Sequence, residues 1–292
     1  MTGDRPPRWG LWGESDERGA LNLVTPERVL TALALVTEGR ILSLSQPIGP
    51  AESTAPHRPN TARFMMRDAG DYAAGARSPD GFRFAEDIVQ LSTHNGTHVD
   101  ALSHAWCGDE LYNGHPARII RSTKGAARLG AEKLLPVLTR GVLLDLVGLY
   151  GQPLAPRTSV EPADLQRAYE RAGLAPEAGD AVLIRTGWWE SASPHDYFDN
   201  EPGVSGPAAA WLADQEVSLV GADNYAVEVQ PSVEGQTFPG HLALIHAAGV
   251  PMLENLALAE LAAAGATAFL FVFAPIPLQG STGSPIQPLA VL

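Results

Sequence analysis

Residues 94–104 read His94-Asn-Gly-Thr-His98-Val-Asp100-Ala-Leu-Ser-His104, so three of the eight histidines in the chain and one aspartate share a single short segment. Imidazole nitrogen and carboxylate oxygen are the donors that hold divalent transition metals. No other window of the sequence concentrates them in this way. His94 and His98 are four apart with Gly96 between them, which argues for a turn that brings both imidazoles to one ion. Asp100 offers two oxygens, enough to hold one ion or to bridge two. His104 reads as a further ligand or as a proton carrier. A lone histidine is better read as a hydrogen-bonded core residue. Four donors spaced H-x3-H-x-D-x3-H favour a metal.

Such a segment needs a scaffold. Residues 87–92 carry the β-branched pair Ile88-Val89 and predict a strand, with the motif on the loop that leaves it. Thr25–Thr37 opens like a helix, with Thr25 as N-cap, Pro26 at the first helical position and Glu27 in the first turn. Residues 162–172 and 208–214 also read as helices. Strands are expected at 41–45, 141–147, 180–185, 218–223 and 266–274, the last ending at Pro275. Residues 251–264 predict a helix ahead of that final strand. Elements of both kinds throughout argue for α/β.

The motif resembles the signature of the cyclase-like metal-dependent hydrolases, a family that includes bacterial kynurenine formamidase and isatin hydrolase. A second block, from Gly240-His241 through His246 to Glu254-Asn255, is similar to the family's downstream block. The segments Trp12-Gly13, residues 19–22 and Gly280 to Pro285 also look familial, so the likeness runs along nearly the whole chain. It implies a swivelling β/β/α-type fold with a central mixed sheet or barrel flanked by helices, as a single domain over 1–292. It also implies that His94, His98 and Asp100 hold a first ion, zinc or manganese, and that Asp100, His241 and Glu254 hold a second in two-metal relatives. His104 becomes the general acid/base. His246 competes with His241. His241 is preferred because it follows Phe-Pro-Gly and opens an apolar run, whereas His246 is expected to pack or face solvent. Glu254 has a rival reading as an acid favoured by a helix N-terminus. One departure bears on activity: many relatives carry Pro two residues after the motif aspartate, and here that residue is Leu102. Leu102 replaces no ligand, so the departure touches formamidase activity rather than metal binding.

Composition narrows the classes. The net charge is −13, and residues after Arg185 include acids but no Lys or Arg. That leaves no basic stripe for a phosphate backbone and argues against nucleic acid as partner. No apolar stretch reaches membrane-span length. Residues 2–7 lack the apolar core of a signal peptide, and the single Cys107 excludes an internal disulfide, so a cytoplasmic protein is expected. A small-molecule substrate and a homodimer or homotetramer complete the expectation. Arg185 has two readings, as the partner of a substrate carboxylate or of an acid such as Asp223, and the structural pairing is preferred. Trp188, Trp189 and Phe64-Met65-Met66 are candidates to wall an apolar pocket.

The expected reaction is hydrolysis of a carbon–nitrogen bond in an aryl formamide or cyclic amide. Lactone hydrolysis or a metal-assisted cyclisation or dehydration could use the same groups. A different class is the non-haem Fe(II) oxygenase, whose 2-His-1-carboxylate triad His98, Asp100 and His241 would imitate. The lack of any basic residue after Arg185 to hold a 2-oxo acid counts against it.

Overall fold

The computed structural model describes residues 8–50, 54–194, 196–233 and 235–292. The N-terminal residues 2–7 lie outside that set. A nine-stranded mixed sheet organises the molecule. Its spatial order is Ile41–Ser43, Leu289–Val291, Ala268–Phe273, Val137–Asp145, Ala181–Arg185, Leu219–Ala222, Met252–Glu254, His98–Asp100 and Gly283–Pro285. The pairs among Val137–Asp145, Ala181–Arg185, Leu219–Ala222 and Met252–Glu254 are parallel, and both ends of the sheet turn antiparallel. Parallel strands need crossovers, and the helix Pro162–Ala172 supplies one between the strands ending at Asp145 and starting at Ala181.

The period-two alternation of strands divides the core in two. Val142, Leu144, Val182, Ile184, Val220 and Met252 face one apolar cluster, with Leu165, Ala168, Leu212 and Leu244 from helices above it. Leu143, Ala181, Leu183, Leu219 and Leu253 face the other, against Leu261 and the aromatic strand Phe269, Phe271 and Phe273. Helices thus cover both faces, which is why the central strands are continuously apolar.

Several predicted elements shift. The first helix keeps its Thr25 cap, Arg28 N–H donating to Thr25 Oγ1, but spans only Pro26–Leu33. The helix expected over 251–264 is absent: Met252–Glu254 is a strand, and only Ala259–Ala263 is helical. Met, Leu and Glu favour helices by propensity, but pairing with two neighbouring strands overrides it. The strand Ala268–Phe273 is followed by two more. Residues 86–90 do form a strand, but it pairs only with Ala62–Arg67 in a separate hairpin. His98–Asp100 itself is the main-sheet strand, so only His94 and His104 sit on flanking loops.

Candidate metal centre

The register of the short strands assembles the site. His98 pairs with Glu254, Val99 with Leu253 and Asp100 with Met252. Paired residues on antiparallel strands share a face, so His98, Asp100 and Glu254 point one way while Val99 and Leu253 enter the core behind. On the other side Gly283 pairs with Asp100. A Cβ at Gly283 would sit 2.6 Å from His94 Cε1, so the missing side chain is the space that His94 occupies. Thr282 Oγ1 contacts His94 Nε2 at 2.9 Å.

His241 arrives from the opposite direction. It ends the turn Pro239–His241, which continues as a π-helical stretch over Leu242–Ala248, a geometry often found at functional sites. Glu228 accepts the backbone N–H groups of Gly240 and His241 at 2.9 Å each, and its Oε1 lies 2.6 Å from His241 Nδ1. These are first-turn donors with no helical partner. The carboxylate therefore anchors the turn and fixes the ring so that Nε2 faces the site. Gly96 O plays the same part for His98 Nδ1, at 2.8 Å.

Around Asp100 the donor atoms converge. His94 Nδ1 is 2.6 Å from Oδ1, His98 Nε2 3.5 Å from Oδ1, His241 Nε2 3.7 Å and His104 Nε2 3.9 Å from Oδ2. Glu254 closes the other side, 3.1 Å from His98 Nε2 and 3.5 Å from His241 Nε2. All six sequence candidates are brought together. Their grouping differs from the expected sets. His98, Asp100 and Glu254 form one group of mutually close donors, and His94, Asp100 and His104 another. His246 lies outside, edge-on to Trp9 with ring centroids 5.2 Å apart. The helix-cap reading of Glu254 does not hold, because Glu254 sits on a strand.

This cluster fits a divalent ion. His98, Asp100 and Glu254 are buried, yet Asp100 Oδ2 has no hydrogen-bond partner among the described residues, and His98 Nε2 faces carboxylate oxygens of Glu254 at 3.1 Å and Asp100 at 3.5 Å without a well-aligned hydrogen bond to either. Leaving such groups unpaired costs on the order of 1–3 kcal/mol each, more for charged ones, so their convergence calls for a cation. Burial alone would raise the Asp100 carboxyl, but the imidazoles of His104, His94 and His98 hold it well below the usual carboxylate range. Burial lowers His98 and His241. The Glu254 and Asp100 carboxylates outweigh that for His98, and Glu228 with Glu254 push His241 well above the usual imidazole range. His104 differs: burial dominates and lowers it to about 4.

Two cavities flank the cluster. The larger, about 580 Å³, is lined by His104, His241 and Glu254 together with Trp106, Cys107 and Phe238. The smaller, about 250 Å³, is lined by His94 and by Trp189, Tyr197 and Phe198. Arg58 and Tyr225 line both. Of the apolar wall expected from the sequence, only Trp189 takes part. Trp188 is buried, donating to Tyr197 O at 3.0 Å, and Phe64, Met65 and Met66 are exposed on the hairpin. Arg185 pairs structurally, but with Asp145 at 3.1 Å. Asp223 instead accepts from Thr186 and Gly187. Sequence reasoning missed Glu228, Arg58, Gln46 and Thr282. Thr282 and Gly283 lie in the Gly280–Pro285 run that was noted, whereas nothing local to Glu228 marks it as the partner of a histidine thirteen residues on.

Comparison with known proteins agrees with this geometry. Residues 42–229 match the model of the Cyclase family. The isatin hydrolase of Roseibium aggregatum is 28% identical over 244 residues, which cover 80% of this chain and 82% of that one. A crystal structure described as a novel cyclase superposes with a TM-score of 0.91 at 34% identity, covering 98% of both chains. Isatin hydrolase A from Labrenzia aggregata superposes with a TM-score of 0.65 at 20% identity, over 90% of this chain and 97% of that one, a likeness of fold.

Proposed function

The chain belongs to the Cyclase family, and from that premise we propose that it is a metal-dependent hydrolase of a carbon–nitrogen bond in an aryl formamide or cyclic amide. The observation that carries the reading is the buried convergence of His98 Nε2 and Asp100 Oδ2, neither in a well-aligned hydrogen bond among the described residues, with donors of His94, His241 and Glu254. The similarity to an isatin hydrolase, named for a cyclic amide, supports the bond type.

His94, His98, Asp100, His241 and Glu254 are the residues that would hold one or two ions. The donors are nitrogen and oxygen with no thiolate, a set suited to zinc or manganese. Such an ion supplies Lewis acidity, polarising the substrate carbonyl and acidifying water. His104 supplies the proton traffic. Its lowered basicity keeps the imidazole neutral near pH 7, and it lines the larger cavity 3.9 Å from Asp100. It takes the proton from the attacking water and gives it to the departing nitrogen. Glu228, an acceptor only, holds His241 in one tautomer, and the Thr282 hydroxyl orients the His94 ring.

We further place the protein in the cytoplasm, as one domain per chain and as a homodimer or homotetramer. Among the described residues no helix is long and apolar enough to cross a membrane. Phe64 and Ile88 face each other across the hairpin and are both exposed, an apolar pair of the kind found at interfaces. The test of the functional reading is elemental analysis of purified protein together with a screen of aryl formamides, lactams and lactones. Turnover that tracks metal content and releases a carboxylate and an amine is the expected result. Turnover confined to lactones, or requiring oxygen and 2-oxoglutarate, would replace the proposal.

A further inference from the structure

The smaller cavity carries chemistry that the metal cluster does not need. Arg58 is the only lysine or arginine lining either cavity. In a chain with net charge −13, it makes no ion pair among the described residues. Its Nη1 donates to the backbone oxygen of His94, which points the head at the cluster. The guanidinium lies over the Tyr225 ring, 5.3 Å from its centroid, and Nε and Nη2 have no acceptor among the described residues. A second donor is left over on the same wall. Gln46 is only 6% exposed; its amide reaches towards the Tyr197 hydroxyl, and its Nε2 makes no well-aligned hydrogen bond among the described residues. The Tyr197 hydroxyl beside the cavity is already donated to Asn255 Oδ1 at 2.7 Å. Around these donors runs an unbroken aromatic wall: Trp189 meets Tyr197, Tyr197 meets Phe198 and Phe198 meets Tyr225, each edge-on with centroids 5.1–5.7 Å apart.

We propose that this chamber is a carboxylate-binding subsite for a single-ring aromatic acid, with Arg58 and Gln46 as its donors. Unused guanidinium donors form a fork that matches a carboxylate. The buried amide N–H needs an acceptor, which the same anion provides. The aromatic wall takes the ring edge-on or offset. At about 250 Å³ the space lies near the lower end of small-molecule sites, which start at roughly 300 Å³, so one ring fits better than a fused system. His94 lines the same chamber, so an acid seated there places a substituent of the ring towards the cluster. For its reaction this inference rests on the hydrolase reading, and it narrows that reading to amides of aromatic acids. For its binding it stands alone.

The experiment is calorimetric titration of the purified, metal-loaded protein with benzoate and with benzamide, its neutral counterpart. Benzoate binding is expected to weaken by roughly 10- to 100-fold in Arg58→Met, with partial recovery in Arg58→Lys and unchanged metal content. Benzamide should be indifferent to the change. Gln46→Leu, which keeps the backbone contact of Gln46 N with Thr97, should weaken benzoate severalfold and decides the matter if Arg58→Met fails to fold. Benzoate bound equally well by all variants assigns it to the metal and overturns the proposal. Kinetics separates the two readings. Arg58-dependent benzoate binding without any amide turnover leaves the subsite standing and removes the hydrolase. Hydrolysis of neutral and carboxylated aryl formamides that Arg58→Met slows equally leaves the hydrolase and removes the subsite.

Discussion

His98 Nε2 and Glu254 Oε2 lie 3.1 Å apart because their strands are antiparallel neighbours with the two residues directly in register. Neither residue is positioned by a loop. The same pairing sends Val99 and Leu253 into the core, so the hydrophobic contact that seats the two strands also fixes the spacing of the two donors.

Metal binding should strengthen as pH rises. His98 and His241 have raised proton affinity in the metal-free protein, through Glu254 and Glu228 among others. An ion must displace those protons, so low pH favours the protonated cluster and high pH the metal. Competition titrations between about pH 6 and about pH 8 should show the apparent Kd falling by up to roughly tenfold per pH unit for each proton released. A flat profile would contradict the ligand assignment of both histidines.

Glu228→Gln should cost roughly 10- to 100-fold in metal affinity with little change in fold, because the amide keeps the shape but loses the charge opposite His241 Nδ1. Chelator competition measures it. Wild-type affinity would reduce Glu228 to an anchor for the Gly240 and His241 backbone.

Gly283→Ala tests the packing of His94. The added Cβ meets the ring at 2.6 Å, and the neighbouring strand leaves little room to yield. Overpacking of this kind costs about 1–3 kcal/mol, read as a lower denaturation midpoint, and it should lower metal occupancy as His94 is displaced. An unchanged midpoint and full occupancy would show that His94 moves freely.

How much of this was legible in the sequence follows from what each residue depends on. His94, His98, Asp100 and His104 announced themselves because four donors lie in one short segment. The preference for His241 over His246 followed from the Phe-Pro-Gly that precedes it, and the structure turns His241 to the cluster and His246 to Trp9. Glu254 was reached through family resemblance and the scarcity of donors in the second half, and its strand was read as part of a helix over 251–264 because only pairing with His98–Asp100 and Leu219–Ala222 reveals otherwise. Arg58, Gln46 and Glu228 were invisible: their roles are set by what the fold places opposite them.

His104→Ala should leave the metal nearly in place and lower turnover by roughly 10²–10⁴-fold, the usual worth of a general acid/base. His98→Ala should lose metal and activity together. Elemental analysis beside steady-state rates distinguishes them. Loss of metal from His104→Ala would make it a ligand, in keeping with its place in the His94 and Asp100 group.

The most direct test of the central claim is an anomalous-scattering map from crystals of the protein grown with zinc or manganese. The expected result is a peak within roughly 2.0–2.2 Å of His98 Nε2 and of Asp100 and Glu254 oxygens, with His94 or His241 completing the shell. An empty cluster in crystals that hold the ion elsewhere, with His98 and Asp100 satisfied by protein groups alone, would contradict it.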